Sequence, residues 1–165
     1  MFALTNKGEF LQDISEEQKV MVIFLRHFGC MFCRETLCEL DRNRDTIEEA
    51  GYHIVIVHMG TDLYAEQFLK VYNLDDVSRI SDPDQELYEA FGVKRASWIT
   101  FMHPKVLGRA IVAMMRGHIP GKIKEDPFQL PGLFIYHKGE VIKKLNNKLP
   151  SEEFCYKDFI QISPA

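Results

Sequence analysis

The chain has 165 residues, a length that favours one domain around one core and excludes a multi-domain machine. It is 46% hydrophobic and 27% charged, which excludes both a disordered polymer and a membrane-embedded bundle. Twenty basic against 24 acidic side chains leave a net charge of −4, which gives no electrostatic reason to expect nucleic acid or an anionic membrane as partner.

The start, Met1 to Phe10, has no basic stretch followed by an apolar run, so no secretory signal is read and the cytoplasm is the expected compartment. Residues Phe2 to Leu11 are expected to form an initial β-element. Val20 to Arg26 is a near-continuous apolar run rich in branched residues, the pattern of a strand buried on both faces. His53 to Met59 has the same character. Between them Leu37, Leu40, Ile47 and Ala50 recur at helical spacing, with Gly51 as the stop, so the segment predicts a right-handed βαβ unit.

Thr61 or Asp62 is the expected cap of a following helix that carries Phe68, Leu69 and Tyr72. Arg79 to Ser81 is a short strand candidate. Asp82-Pro83-Asp84-Gln85 reads as an N-cap with proline at the first helical position and a capping-box glutamine, a signal that opens the helix Glu86 to Phe91, which Gly92 closes. Residues 94–122 read as a helical insertion, because Val106, Leu107, Ala110, Ile111 and Met114 lie at helical spacing between Pro104 and Gly117. The stripe that Met115 extends is expected to pack on the sheet; an apolar groove or a homodimer face is the alternative, and Trp98 is expected to share its fate. Gly132 to Tyr136 and Glu140 to Leu145 predict a β-hairpin with Gly139 in the turn, and Pro150-Ser151 is expected to open a last helix. The chain is read as a single domain, residues 1–165, with α/β architecture and a mixed central sheet flanked by helices.

The chemistry concentrates in Phe24 to Glu35, where Cys30 and Cys33 form a Cys-x-x-Cys pair directly after a buried strand and at the start of a helix. Three residues of separation across a first helical turn bring two sulfurs within disulfide reach, and the N–H groups of the helix end favour a thiolate. Arg26 and Arg34 are expected to add positive charge, and Gly29 to leave Cys30 open. A metal site would need two more ligands, and His27 and Cys38 do not converge with the pair, so no metal or other cofactor is expected. Cys38 and Cys155 are expected to be packed as small hydrophobes, and His27 to be a satisfied surface or half-buried side chain. Pro131 leads into an inner-strand candidate, where a proline needs a reason; a cis peptide turn facing the dithiol is the expected one.

This order of elements resembles the thioredoxin fold. Arg26-His-Phe-Gly-Cys30-Met-Phe-Cys33-Arg-Glu35 is similar to the peroxiredoxin-like 2, or selenoprotein U-like, branch of the alkyl hydroperoxide reductase/thiol-specific antioxidant (AhpC/TSA) superfamily. The resemblance implies a thiol-based oxidoreductase with an antioxidant or redox-regulating role; some members of the branch reduce lipid endoperoxides. Against the superfamily's peroxide-binding pattern, Arg26 stands for the proline, Cys30 for the threonine, Cys33 at the peroxidatic place and Pro131 for the arginine. The leading expectation is therefore dithiol–disulfide exchange through Cys30 and Cys33, with thioredoxin or glutathione returning the electrons. A peroxidase with Cys33 attacking peroxide, and a non-catalytic binding module or redox sensor, are the alternatives.

Overall fold

The computed structural model describes residues 3–118, 121, 125–152 and 154–161. Five strands form one mixed sheet: β1 (Lys19–Phe24), β2 (Tyr52–His58), β3 (Ser78–Ser81), β4 (Gly132–His137) and β5 (Glu140–Asn146), in the order β3-β2-β1-β4-β5. β1 pairs parallel with β2, and β2 with β3; β4 runs antiparallel to both β1 and β5. The apolar runs read in the sequence are the central strands because they bury side chains on both faces. Met21, Ile23, Ile54, Ile56, Leu133 and Ile135 face one core, while Val20, Val22, Phe24, Val55, Val57 and Phe134 face the other, as strand alternation requires.

The first core is roofed by α2 (Met31–Glu49), α3 (Asp62–Lys70) and α7 (Tyr156–Gln161), which contribute Leu37, Leu40, Ile47, Ala65, Leu69, Tyr156 and Phe159. The second is roofed by α1 (Leu11–Glu17) and α4 (Glu86–Ala90), through Leu11, Ile14, Leu87 and Tyr88. The Thr61 hydroxyl accepts the Tyr64 N–H at the start of α3, as the capping pattern suggested. The β4–β5 hairpin turns through Lys138 (φ 51°) and Gly139 (φ 74°), two left-handed residues of the kind a two-residue hairpin demands.

Several expectations are corrected. The N-terminal β-element is reduced to one bridge, Leu4 to Phe10, and α1 follows it directly; Phe2 lies outside the described residues. The helix expected over Glu86 to Phe91 starts at Glu86 as read, but Pro83 is not its first helical position, because Gln85 adopts a left-handed conformation (φ 62°) ahead of it. Asp82 still serves as the cap, but across that turn: its carboxylate accepts the N–H groups of Glu86, Leu87 and Tyr88. The last helix starts at Tyr156, not at Pro150. Glu152 is drawn into a loop in which its carboxylate accepts the Lys148 and Leu149 N–H groups and its carbonyl accepts the Asn147 side chain. The Leu130–Pro131 bond is not cis, since no described peptide bond is. Residues 128–130 already run extended against 94–96, with Ala96 N–H donating to Phe128 and Leu130 N–H to Lys94, so the chain enters β4 in line and has no corner to turn.

Within the insertion, α5 (Trp98–Phe101) precedes α6 (Pro104–Met115), which packs on α2. The apolar stripe does not pack on the sheet: Val106 and Ala113 are buried, but Leu107, Ile111, Met114 and Met115 are exposed. Residues 119, 120 and 122 of the insertion fall outside the described residues.

Candidate functional site

Beyond the last β1–β2 pair the chain leaves the sheet in a short loop that feeds α2. Leu25 N–H donates to the Val57 carbonyl, and the Tyr88 hydroxyl donates to the Leu25 carbonyl at 2.6 Å, so the loop departs from a fixed point. Phe28 anchors its middle, with ring centroids 4.8–5.5 Å from those of Phe68, Tyr64 and His58. Cys30 N–H then bonds back to the His27 carbonyl, and Cys30 becomes the residue before the first turn of α2. Cys33 lies in that turn. Both cysteines are buried free thiols.

Arg26 is buried beside them. Its Nη1 donates to Cys30 Sγ at 2.8 Å, its Nε to the Gln129 carbonyl at 2.9 Å and its Nη2 to the Pro127 carbonyl at 2.7 Å. The carbonyls hold the guanidinium on the sulfur, and the extended 127–129 segment is in place because it pairs with residues 94–96. Burial opposes a charged Cys30, but a hydrogen bond from Cys33, the Arg26 charge and the N–H groups of Cys33 and Phe32 outweigh it and bring its pKa from 9.0 to about 6. Cys33 is pushed the other way, well above its ordinary value, because it shares that hydrogen bond with Cys30, is fully desolvated and faces the neighbouring thiolate. The two sulfurs are thus differentiated, one as anion and one as acid.

Cys30 opens onto a groove of about 380 Å³ whose other lining includes Gly29, Met31, Phe32, Trp98, Pro127 and Phe128. The lining is predominantly apolar. His27 also borders it; burial first and the Arg26 charge second lower its pKa to about 4, so it is neutral, and its Nδ1 is buried without a hydrogen-bond partner. It is therefore not the satisfied surface histidine expected.

Of the expected site residues, Cys30, Cys33 and Arg26 come together. Arg34 lies with its guanidinium 5.4 Å from the centre of the Phe68 ring, and the charge that lowers the Cys30 pKa is that of Arg26. Pro131 is buried one residue ahead of β4, and the proline that borders the groove is Pro127. Cys155 is exposed and Cys38 half-buried, so neither is the packed hydrophobe expected. The groove that the sequence offered as an alternative place for Trp98 is where it lies; sequence reasoning missed Pro127, Phe128 and the Gln129 carbonyl, and although the Asp126-Pro127 turn signal was there to be read, nothing local ties it to Cys30. Among the described residues no three His, Cys, Asp or Glu side chains are grouped so as to hold a metal ion, and no helix is long and apolar enough to cross a membrane.

The fold is the thioredoxin fold, and the comparisons with known proteins support a redox role. Residues 39–144 match the family described as AhpC/TSA antioxidant enzyme, and the chain belongs to that family. The matched stretch begins after the two cysteines. Among curated relatives, the pig prostamide/prostaglandin F synthase is 28% identical over 96% of this chain and 80% of its own length. Cattle peroxiredoxin-like 2C is 24% identical over 79% of this chain and 60% of its own. The Arabidopsis chloroplastic thioredoxin-like protein AAED1 is 27% identical over 66% of this chain and 43% of its own. These relatives are of the peroxiredoxin-like 2 branch that the Arg26 to Glu35 motif suggested, although the chain spans only about half the length of the last two. In fold it is similar to peroxiredoxin 6 of Arenicola marina (TM-score 0.66, 9% identity, 97% of this chain and 66% of that one). It is also similar to a thiol:disulfide interchange protein DsbE from Chlorobium tepidum (TM-score 0.62, 15% identity, 98% and 90%).

Proposed function

We propose that the protein is a dithiol–disulfide oxidoreductase in which Cys30 is the nucleophile and Cys33 the resolving thiol. The observation that carries this reading is the buried Arg26 guanidinium 2.8 Å from Cys30 Sγ. The Cys30 thiolate attacks one sulfur of an oxidised substrate, forming a mixed disulfide and releasing the other sulfur as a thiolate. Cys33 then gives up its proton and attacks Cys30 Sγ, which releases the second substrate thiol and leaves a Cys30–Cys33 bridge. Two electrons have moved to the substrate, and an external thiol reductant of the thioredoxin or glutathione class returns them. The apolar groove favours a substrate whose oxidised sulfur sits beside aromatic or aliphatic groups, and similarity to a prostamide/prostaglandin F synthase supports an apolar substrate as well. The cytoplasm remains the proposed compartment.

The test is a pair of variants. Cys30→Ser is expected to abolish disulfide reductase activity, while Cys33→Ser retains attack and accumulates mixed disulfides visible by intact mass. Wild-type turnover in both would overturn the mechanism.

The family also favours a peroxidase reading, in which Cys33 is oxidised to a sulfenate and Cys30 resolves it. Sulfenate trapping in single-cysteine variants separates the two: rapid peroxide-dependent capture at Cys33 selects the peroxidase, and reaction confined to Cys30 selects the exchange enzyme.

A further inference from the structure

We propose that the outward faces of α5 and α6 form a docking surface for an anionic phospholipid bilayer. α6 is built inside out. Its arginines turn inward: Arg109 Nη2 lies 2.8 Å from Glu35 Oε2, and Arg116 Nη1 lies 2.6 Å from Glu35 Oε1, on a carboxylate that α2 buries. Its large apolar side chains turn outward, with Ile111 61% and Met115 83% exposed, and Leu107 and Met114 beside them. α5 packs on α6 and continues the face with Trp98, Ile99 and Met102. With Val112, eight large apolar side chains within 18 residues thus meet solvent, a patch of the kind that marks an interaction surface rather than scattered exposure.

The charge around this patch selects the occupant. Residues 94–118 contain five of the chain's 20 basic side chains and none of its 24 acidic ones, so the overall −4 averages over a local cationic segment. Lys94 and Lys105 are exposed there. Arg95, Arg109 and Arg116 are engaged by Asp126 and Glu35, and apolar and aromatic side chains flanked by the lysines of a segment with no acidic residue of its own suit the boundary between acyl chains and anionic headgroups. A second copy of the chain fits less well, since a two-fold contact would bring this cationic segment against itself. Trp98 belongs both to this face and to the wall of the Cys30 groove, so docking brings the groove to the headgroup layer.

The chain supplies its own probe, because Trp98 is its one tryptophan. The full-length protein is mixed with vesicles of phosphatidylcholine alone, or with about one third phosphatidylserine. Binding is expected only to the anionic vesicles, with a blue shift of Trp98 emission, quenching by brominated lipid and weakening as salt is raised. The double variant Leu107→Glu/Ile111→Glu, which leaves the groove untouched, is expected to lose vesicle affinity by about tenfold or more. Lys94→Gln/Lys105→Gln is expected to weaken binding while leaving the apolar face intact, and it decides the matter should the first variant fail to fold. The proposal is overturned if neither vesicle shifts Trp98, if neutral and anionic vesicles bind alike, or if both variants bind as wild type. It is also overturned if the protein sediments as a dimer that Leu107→Glu/Ile111→Glu dissolves, or if the face is occupied by a protein partner that excludes vesicles. None of these readings depends on the thiols, so they stand apart from the outcome of the cysteine variants.

Discussion

Two buried acidic groups, Cys30 and Glu35, are each met by arginine, and the two pairs are built differently. At the sheet end, Arg26 is itself buried, held by the Pro127 and Gln129 carbonyls, and its sulfur partner borders a groove. Under the insertion, the Glu35 carboxylate is buried but its partners come from outside, with Arg109 26% and Arg116 53% exposed. In the first pair the cation is fixed before any charge develops on sulfur, so it biases chemistry. In the second the carboxylate is fixed and two flexible side chains reach to it, so the pair ties a peripheral helix to the helix that carries Cys33. One geometry tunes reactivity; the other fastens structure.

The largest expected effect breaks the first pair. Arg26→Met leaves two buried carbonyls without their donor and removes the charge beside Cys30. The Cys30 pKa should rise towards its ordinary value, and alkylation by iodoacetamide at neutral pH should slow by about tenfold or more. An unchanged pH–rate profile for alkylation would remove Arg26 from the site.

Next comes pH. In the reduced protein Cys30 titrates at about 6 when folded against 9.0 when unfolded, so the unfolded chain binds the extra proton between these values. Stability from this group is complete above pH 9 and is lost as pH falls towards 6. Cys33 acts outside that window, because its value is raised. His27 and His58 are each lowered to about 4, chiefly by burial, so the unfolded state takes up their protons first and stability falls again from pH 6.5 towards 4. Urea unfolding across pH should show both limbs, and Cys30→Ser should flatten only the upper one.

A smaller effect is expected at the second pair. Glu35→Ala should cost about 1–2 kcal/mol, less than a fully buried pair, because the freed arginines reach water. Hydrogen exchange should quicken in α6 while the Cys30 pKa stays put. A shift in that pKa would merge the two pairs into one network and undo the contrast between them. Smallest of all, Ile111→Ala should change the free energy of urea unfolding by less than about 0.5 kcal/mol, whereas Val106→Ala, on the buried side of the same helix, should cost about 1 kcal/mol.

The strands, the hairpin and the cysteine pair were legible because each rests on local signals: apolar runs in Val20 to Leu25 and His53 to Val57, the Lys138-Gly139 turn, and the three-residue spacing of Cys30 and Cys33. Arg26 was legible as a charge near the site but not as a residue held by carbonyls 101 and 103 positions away. The orientation of α6 was not legible for the same reason. Periodicity placed a stripe on one face of the helix, but the burial of Glu35 on another helix decides which face turns inward. The start of α4 at Glu86 was legible, but Pro83 as its first helical position was not right, since Asp82 caps across an intervening turn that only the left-handed Gln85 reveals.

The arrangement at Arg26 has a thermodynamic corollary for the proposed cycle. A guanidinium locked in place by two carbonyls cannot swing to water when Cys30 enters a bridge, so oxidation would leave it facing a neutral sulfur. The reduced state alone enjoys the attraction, which raises the midpoint potential of the couple and makes its disulfide a ready electron acceptor. Reduction of the bridge by an external thiol is favoured to that extent, and donation of electrons to substrate is correspondingly less favourable.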